Sequence, residues 1–211
     1  MKKTLSIFAV IMIFTASIFA QGFKVKASGE QTFDFADKNG RNQTSFFSAT
    51  PVEDITGLAN DLKGTVTFIV NDLSTLKGKL IVSAASIKTG IDMRDEHMRG
   101  AGWLNAESFP EISFEIKKVS DFKSVEGNKL SAKVTGNFTL HGVTKEVVAN
   151  ATLTYLDESE TTKMRAPGDL LGVQAKFNVK LSDYGVNNKL VGQKVSENIE
   201  VSVNVVGSNA K

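Results

Sequence analysis

Side chains able to do chemistry at neutral pH are few in this sequence, and most fall in one stretch. There are two histidines, His97 and His141, and no cysteine. His97 lies in DMRDEHMRG, with Asp92, Asp95 and Glu96 before it and Arg99 after it. An imidazole beside a carboxylate can serve as a general acid or base, and together they can supply metal ligands. The metal option is poorly provisioned, because no H-x-H or H-x-x-x-H pair occurs and no thiolate is available. A nucleophile elbow, a phosphate-binding loop and a dinucleotide fingerprint are absent as well. Arg94, Asp95 and Arg99 admit two readings. They could seat a phosphate or quinone head group, or Asp95 and Arg99 could form a solvated helix pair contributing well under ~1 kcal/mol.

The element that positions these groups is Ser86–Pro110, SIKTGIDMRDEHMRGAGWLNAESFP. Met93 and His97, Arg94 and Met98, and Asp95 and Arg99 are each four apart, the spacing of neighbours on a helix surface. Thr89 and Asp92 resemble a capping box with Asp in place of Glu, and Gly100 supplies a stop. The single tryptophan, Trp103, follows with Leu104, and Phe109-Pro110 returns the chain to strand. The spacing predicts one short helical plug.

On both sides of the plug the pattern changes to period two, the mark of half-buried strands. Val66, Phe68 and Val70 alternate with polar or outward residues, and so do Ile112, Phe114 and Ile116. Longer runs follow in Leu130–Leu140, Val147–Tyr155, Val173–Leu181 and Ile199–Val205. Thr32–Phe35 and Asn42–Ala49 read as earlier strands, whereas Gly57 and Asn60 mark Pro51–Asp61 as a linker or short turn. His141-Gly142 reads as a hairpin turn, and Asp157–Asp169 as the longest loop. Roughly eight or nine one-faced strands with short turns imply a closed antiparallel barrel, since closure removes exposed edges. A β-sandwich is the alternative. Asn42, Asn137 and Asn150 match the glycosylation pattern but read more simply as strand residues.

Small residues recur on the inward faces: Gly78, Ala132, Gly136, Ala149, Ala151 and Ala175. An eight-stranded barrel can fill its interior with side chains or hold one ligand. Large-small alternation with Phe33, Phe68, Phe114, Phe138 and Phe177 would fill it; otherwise the small residues leave volume for a ligand.

Lys2 and Lys3, the apolar run Leu5–Phe19 and the small Ala20 form a secretory leader, with a cut after Ala16 as the alternative. The run is shorter than the ~20 residues that a membrane span needs. Without Lys2 and Lys3, basic residues balance the 23 acidic ones, so no charge excess steers the chain to nucleic acid or an anionic surface. About 190 residues then remain, one sizeable domain. With no cysteine, an exported protein relies on its core rather than on disulfides, and a lipid-anchored amino terminus is excluded.

Three runs in order, RDEHMRG…WLNAESFPEISFE (Arg94–Glu115), VTGNFTLHGVTKEV (Val134–Val147) and FNVKLSDYG (Phe177–Gly185), resemble the YceI family. The resemblance spans about Gln31 to Gly207. It implies an exported, lipocalin-like eight-stranded antiparallel barrel enclosing a long apolar pocket for polyisoprenoid chains or similar amphiphiles. Two departures stand out. The start, QTFDFADKNGRNQTSFFSATPVEDITG, differs from the family's short strand with a Ser near a Trp, and the aromatic dipeptide after the helix is Trp103-Leu104 here. Ligand length and head-group preference are therefore not carried over.

The lining expected on this reading comprises Phe68, Leu80, Phe114, Ala132, Val134, Phe138, Ala149, Ala151, Ala175 and Phe177 from strands, and Met93, His97, Met98 and Trp103 from the plug. The expected ligand is an isoprenoid or similar amphiphilic lipid, such as a quinone tail or polyprenyl lipid, carried or sequestered. It is bound as cargo, with no catalytic cofactor and no metal. Expected partners exclude nucleic acid and permanent membrane insertion, leaving transient membrane contact and a monomer or homodimer. Burying a methylene contributes ~0.8 kcal/mol, so a carrier needs little polar signature. Two alternatives stay open: a lipid-modifying enzyme using His97 with a carboxylate, and a filled barrel acting through its surface. The soluble exported protein is expected to begin at Gln21. Intact-mass measurement checks this, and a soluble form retaining Met1–Ala20 contradicts it.

Overall fold

The computed structural model describes residues 22–210, so the expected leader lies outside the described residues. Its strands are β1 (Glu30–Asp34), β2 (Gln43–Ser48), β3 (Ile55–Ala59), β4 (Leu62–Ile69) and β5 (Asp72–Ser83). After helix α1 (Asp92–Arg99) come β6 (Glu111–Glu126), β7 (Lys129–Leu140) and β8 (Val143–Leu156). The short helix α2 (Glu160–Lys163) then precedes β9 (Leu170–Lys180) and β10 (Asn198–Ser208). From β4 to β10 the strands pair antiparallel in sequence order. β1 pairs with β4 along its length and meets β10 at Asp34↔Ser208, closing an eight-stranded barrel. β2 and β3 add a hairpin to β10 at the end where α1 sits, here called the upper end.

The turns follow from local chemistry. Leu140 faces Val143 across His141-Gly142, whose φ values of 51° and 75° are those of a two-residue hairpin turn. β6 is long enough to need curvature, and register shifts along it supply that, one of them beside Asp121 at φ 55°. The linker expected over Pro51–Asp61 is corrected: Ile55–Ala59 is β3. Gly57 does not break the strand. It faces Phe46 across the ladder, and a Cβ there would sit 2.1 Å from the Phe46 ring, so the glycine makes room for it.

Closure depends on β10 changing partners. It pairs with β2 from Glu200↔Phe47 to Asn204↔Gln43 and with β1 only at Ser208. Between them lies Val206, and a side chain fills the gap. Asn42 Nδ2 donates to the Val206 carbonyl at 3.0 Å, while Asn42 Oδ1 accepts from the Val206 N–H at 2.8 Å. The amide thus performs both bonds of a missing strand residue. The same Nδ2 donates to the Phe35 carbonyl at 2.7 Å, and Arg165 Nη2 donates to Oδ1 at 2.8 Å. Arg165 also meets Asp37 at 2.6 Å, and Arg41 grips Asp37 with two bonds. The Arg41 hydrogen bond, followed by those from Arg165 and the Asn39 N–H, outweighs burial and holds the Asp37 carboxyl well below the usual carboxylate range. Asn42, which matched a glycosylation pattern, is buried.

The lower end is solid. Phe33 stacks on Phe68 with centroids 5.7 Å apart, and Tyr155 meets Phe33 edge-on at 5.5 Å. Phe23 covers both Phe68 and Tyr155. Offset and edge contacts of this kind add ~0.5–1.5 kcal/mol each to the area they bury. The Tyr155 hydroxyl donates to Asp169 at 2.7 Å; burial and then that carboxylate raise its pKa. Phe68 is therefore part of a packed floor.

Replacing Asn42 with Ala leaves the Val206 and Phe35 backbone groups without these partners in a buried seam. The expected loss is of order 2–3 kcal/mol, read as a lower urea midpoint with an unchanged slope.

Candidate functional site

Above the floor the barrel is hollow. A cavity of about 740 Å³ runs from Val66, Leu76 and Leu153 up to α1. This is within the ~300–1,000 Å³ range of ligand sites. Its walls are almost wholly apolar, and Ile112, Phe114, Leu80, Val173 and Val203 are only partly buried, each with surface open to the cavity. Phe114, Phe138 and Phe177 form a connected aromatic wall, with Phe177 centroids 5.7 Å from Phe114 and 5.1 Å from Phe138.

The small inward residues have different fates. Gly136 lies beneath the Phe114 ring, where a Cβ would come within 2.4 Å of it. Gly78 presses on the Thr65–Val66 backbone. Ala132 belongs to the lower core with Leu130. Ala149, Ala151 and Ala175 border the cavity. Leu80, Val134, Phe138, Phe177 and Phe114 join them, as do Met93, His97, Met98 and Trp103 from the plug. Of the lining expected from the sequence, Phe68 and Ala132 do not border the cavity. Their side chains point inward as the alternation requires, but at a height where the barrel is filled.

The roof is α1, and its attachment differs from the expected pattern. Thr89 and Asp92 form no capping box: the N-cap residue is Ile91, without a side-chain bond. Instead the buried Asp95 accepts from the Thr89 N–H at 2.7 Å and from its hydroxyl at 2.6 Å. Burial pushes the Asp95 pKa up, but the Thr89 bonds and the charges of Arg99 and Arg94 outweigh it, leaving a net lowering. Arg94 Nε donates to Thr89 Oγ1 at 3.0 Å, and Arg99 Nη1 to the Ile87 carbonyl at 3.3 Å. The segment that α1 grips is itself tied to β3, since Leu58 and Lys88 exchange backbone bonds of 2.8 Å. The expected solvated Asp95–Arg99 pair is thus replaced by two separate anchors. Gly100 does end the helix, in an extended rather than left-handed conformation.

The histidines are not together. His97 is exposed at the cavity mouth. His141 sits in the β7–β8 turn, edge-on to Phe109 at 4.7 Å, with Nδ1 donating to the Tyr184 carbonyl at 3.1 Å. Tyr184 is itself buried against Phe138, and burial followed by the Asp183 charge pushes its pKa up to about 12. Among the described residues, no three His, Cys, Asp or Glu side chains gather in a way that could hold a metal ion. Sequence reading missed Phe46, Ile55, Glu53 and Lys194 in the lining. The first has an alternation signal in β2; the others depend on loops and on β3, which Gly57 concealed.

Fold and site together define an antiparallel barrel that is packed at one end and holds an apolar, helix-roofed cavity at the other. Residues 24–207 match the YceI-like domain, and the chain belongs to that family. It is 30% identical to "Protein YceI" of Salmonella agona over 213 residues, covering 100% of both chains. Among solved structures it is similar to Burkholderia cenocepacia BcnA, with a TM-score of 0.63, 17% identity, and 79% of this chain and 96% of that one covered. A polyisoprenoid-binding domain from Saccharophagus degradans, implicated in plant cell wall breakdown, aligns with a TM-score of 0.62 and 15% identity over 87% of this chain and 100% of that one. At these identities the structural likeness speaks to the fold.

Ala149 tests the cavity directly. In a packed core, Ala149→Phe would cost ~1–3 kcal/mol. Beside an open cavity the ring has room, so the urea midpoint of delipidated protein is expected to hold or rise while co-extracted lipid per chain falls. A clearly destabilised variant with its full lipid load contradicts a ligand at this position.

Proposed function

We propose that this protein is an exported carrier or sequestering protein for an isoprenoid or similar amphiphile, held by its chain in the barrel cavity. The observation that carries the reading is the apolar cavity of about 740 Å³ above a sealed aromatic floor. Each five-carbon isoprene unit contributes roughly 4 kcal/mol of gross burial, before the costs of association. A dry tube of suitable shape therefore binds such a chain without a polar fingerprint. Membership of the YceI-like family and the likeness to a polyisoprenoid-binding domain support the same ligand class. The leader pattern of Met1–Ala20 supports export to the periplasm. No helix among the described residues is long and apolar enough to cross a membrane.

The enzyme alternative needs a carboxylate acting with His97. Asp95, the buried candidate, is committed to Thr89, which weakens that alternative. The filled-barrel alternative needs a packed interior, and the cavity argues against it. Lys194 and Arg94 border the mouth and are suited to the polar end of an amphiphile.

Native mass spectrometry of protein purified from its own periplasm tests the proposal. The expected result is one prenyl-chain lipid or related amphiphile per chain, released under denaturing conditions. Protein that is uniformly lipid-free, and that takes up no prenyl lipid when offered it in detergent, contradicts the reading.

A further inference from the structure

The cavity mouth is a ring of segments tied by contacts of unequal strength. Asn188, in the β9–β10 connection, donates to the Gly102 carbonyl at 3.0 Å just beyond α1. The same connection reaches β2, where the Ser196 N–H donates to the fully buried Ser48 Oγ at 2.9 Å. Among the described residues, the one hydrogen bond or ion pair that closes the ring between the β2–β3 connection and α1 joins Glu53 and Arg94, 3.5 Å apart, with the Glu53 side chain 64% exposed. An exposed ion pair of that length adds little. The weakest link in the ring lies here.

Apolar side chains flank that link. Val52, next to Glu53, is 94% exposed; Met93, next to Arg94, is 69% exposed, and Ile91 51%. Ile91 and Met93 also border the cavity, so their apolar side chains reach from the interior to the outside beside the weak link. Charge around it is mixed: the cationic Lys88, Arg94 and Arg99 stand among the acidic Glu53, Asp54, Asp92 and Glu96. With no cationic excess, attraction to anionic head groups is not the driving force, and insertion of apolar side chains is.

We propose that ligand enters and leaves between α1 and the β2–β3 connection, and that the rim formed by Val52, Ile91 and Met93 seats on a lipid surface during transfer. A prenyl chain then moves between bilayer and cavity without crossing water. The proposal rests on the lipid-carrier reading. Met164 offers a control. It is 84% exposed, lies beyond α2 at the lower end and is not part of the barrel cavity's lining.

Co-sedimentation of the mature protein with phosphatidylcholine vesicles, together with the rate of prenyl-lipid uptake from those vesicles, tests it. Wild-type protein is expected to bind, with little response to added salt or to phosphatidylglycerol. Val52→Asp is expected to weaken binding and slow uptake about tenfold, the effect of ~1.4 kcal/mol. Its unfolding midpoint, and its final lipid load when lipid is supplied in detergent, should match wild type. Met164→Asp should behave as wild type throughout. Three results overturn the proposal: no vesicle binding, binding that requires anionic lipid, or equal effects of the two substitutions. Protein that loads lipid from detergent yet ignores vesicles defeats the rim and leaves the carrier reading intact. Vesicle binding by protein whose cavity never takes lipid defeats the carrier reading.

Discussion

A sheet that must enclose something has to close, and closure is the constraint on which this molecule depends. β10 is the strand that meets both early strands, β1 low on the barrel and β2 above. Two strands separated by a turn cannot present a continuous edge, so one backbone position is left between them. Asn42 occupies that gap with a side chain carrying one donor group and one acceptor, the complement a peptide unit would offer. Arg165 and Asp37 hold the amide in place from the β8–β9 loop and the β1–β2 turn. Without this substitution the two halves of the seam would splay, and the interior would be open along its side rather than only at its mouth.

Within the closed wall, a division between filled and empty space decides what the barrel can do. The lower part stacks Phe23, Phe33, Phe68 and Tyr155 against one another, all four of them buried. Higher up, rings lie against the wall instead of across the lumen. Phe46 covers Gly57 and Phe114 covers Gly136, each glycine letting an aromatic ring lie flat on its neighbour strand. Ala149, Ala151 and Ala175 then add no bulk of their own. The result is an aromatic-lined tube with a floor, long and dry enough to accommodate an apolar chain.

The polar residues around α1 hold the roof in place. Asp95, Thr89, Arg94 and Arg99 anchor α1 to a segment paired with β3, and Gly102 is held by Asn188 from the opposite side. The helix is therefore fixed on two sides and free along the third, where Glu53 and Arg94 barely meet. His97 faces this mouth, while His141 sits in the hairpin turn that its Gly142 neighbour signalled in the sequence.

Much of this is legible in the order of the residues. Period-two alternation depends only on which side of a pleat a residue occupies, so strands β4 and β6 to β10, their inward faces and the His141-Gly142 turn followed from residue order alone. The four-residue spacings around His97 likewise fixed a short helix. What alternation cannot state is height along the barrel axis: Phe68 and Ala132 point inward as surely as Phe138 and Ala149, yet only the latter pair border the cavity. Nor can it separate a glycine that breaks a strand from one that seats a ring across the ladder, which is why β3 read as a linker. Asp95 shows the same limit, because its helix spacing pointed to Arg99 while burial and the Thr89 hydroxyl took it elsewhere. Local pattern is written by neighbours in the chain. Cavity, seam and roof are set by contacts between residues far apart in it, and those exist only once the barrel has closed.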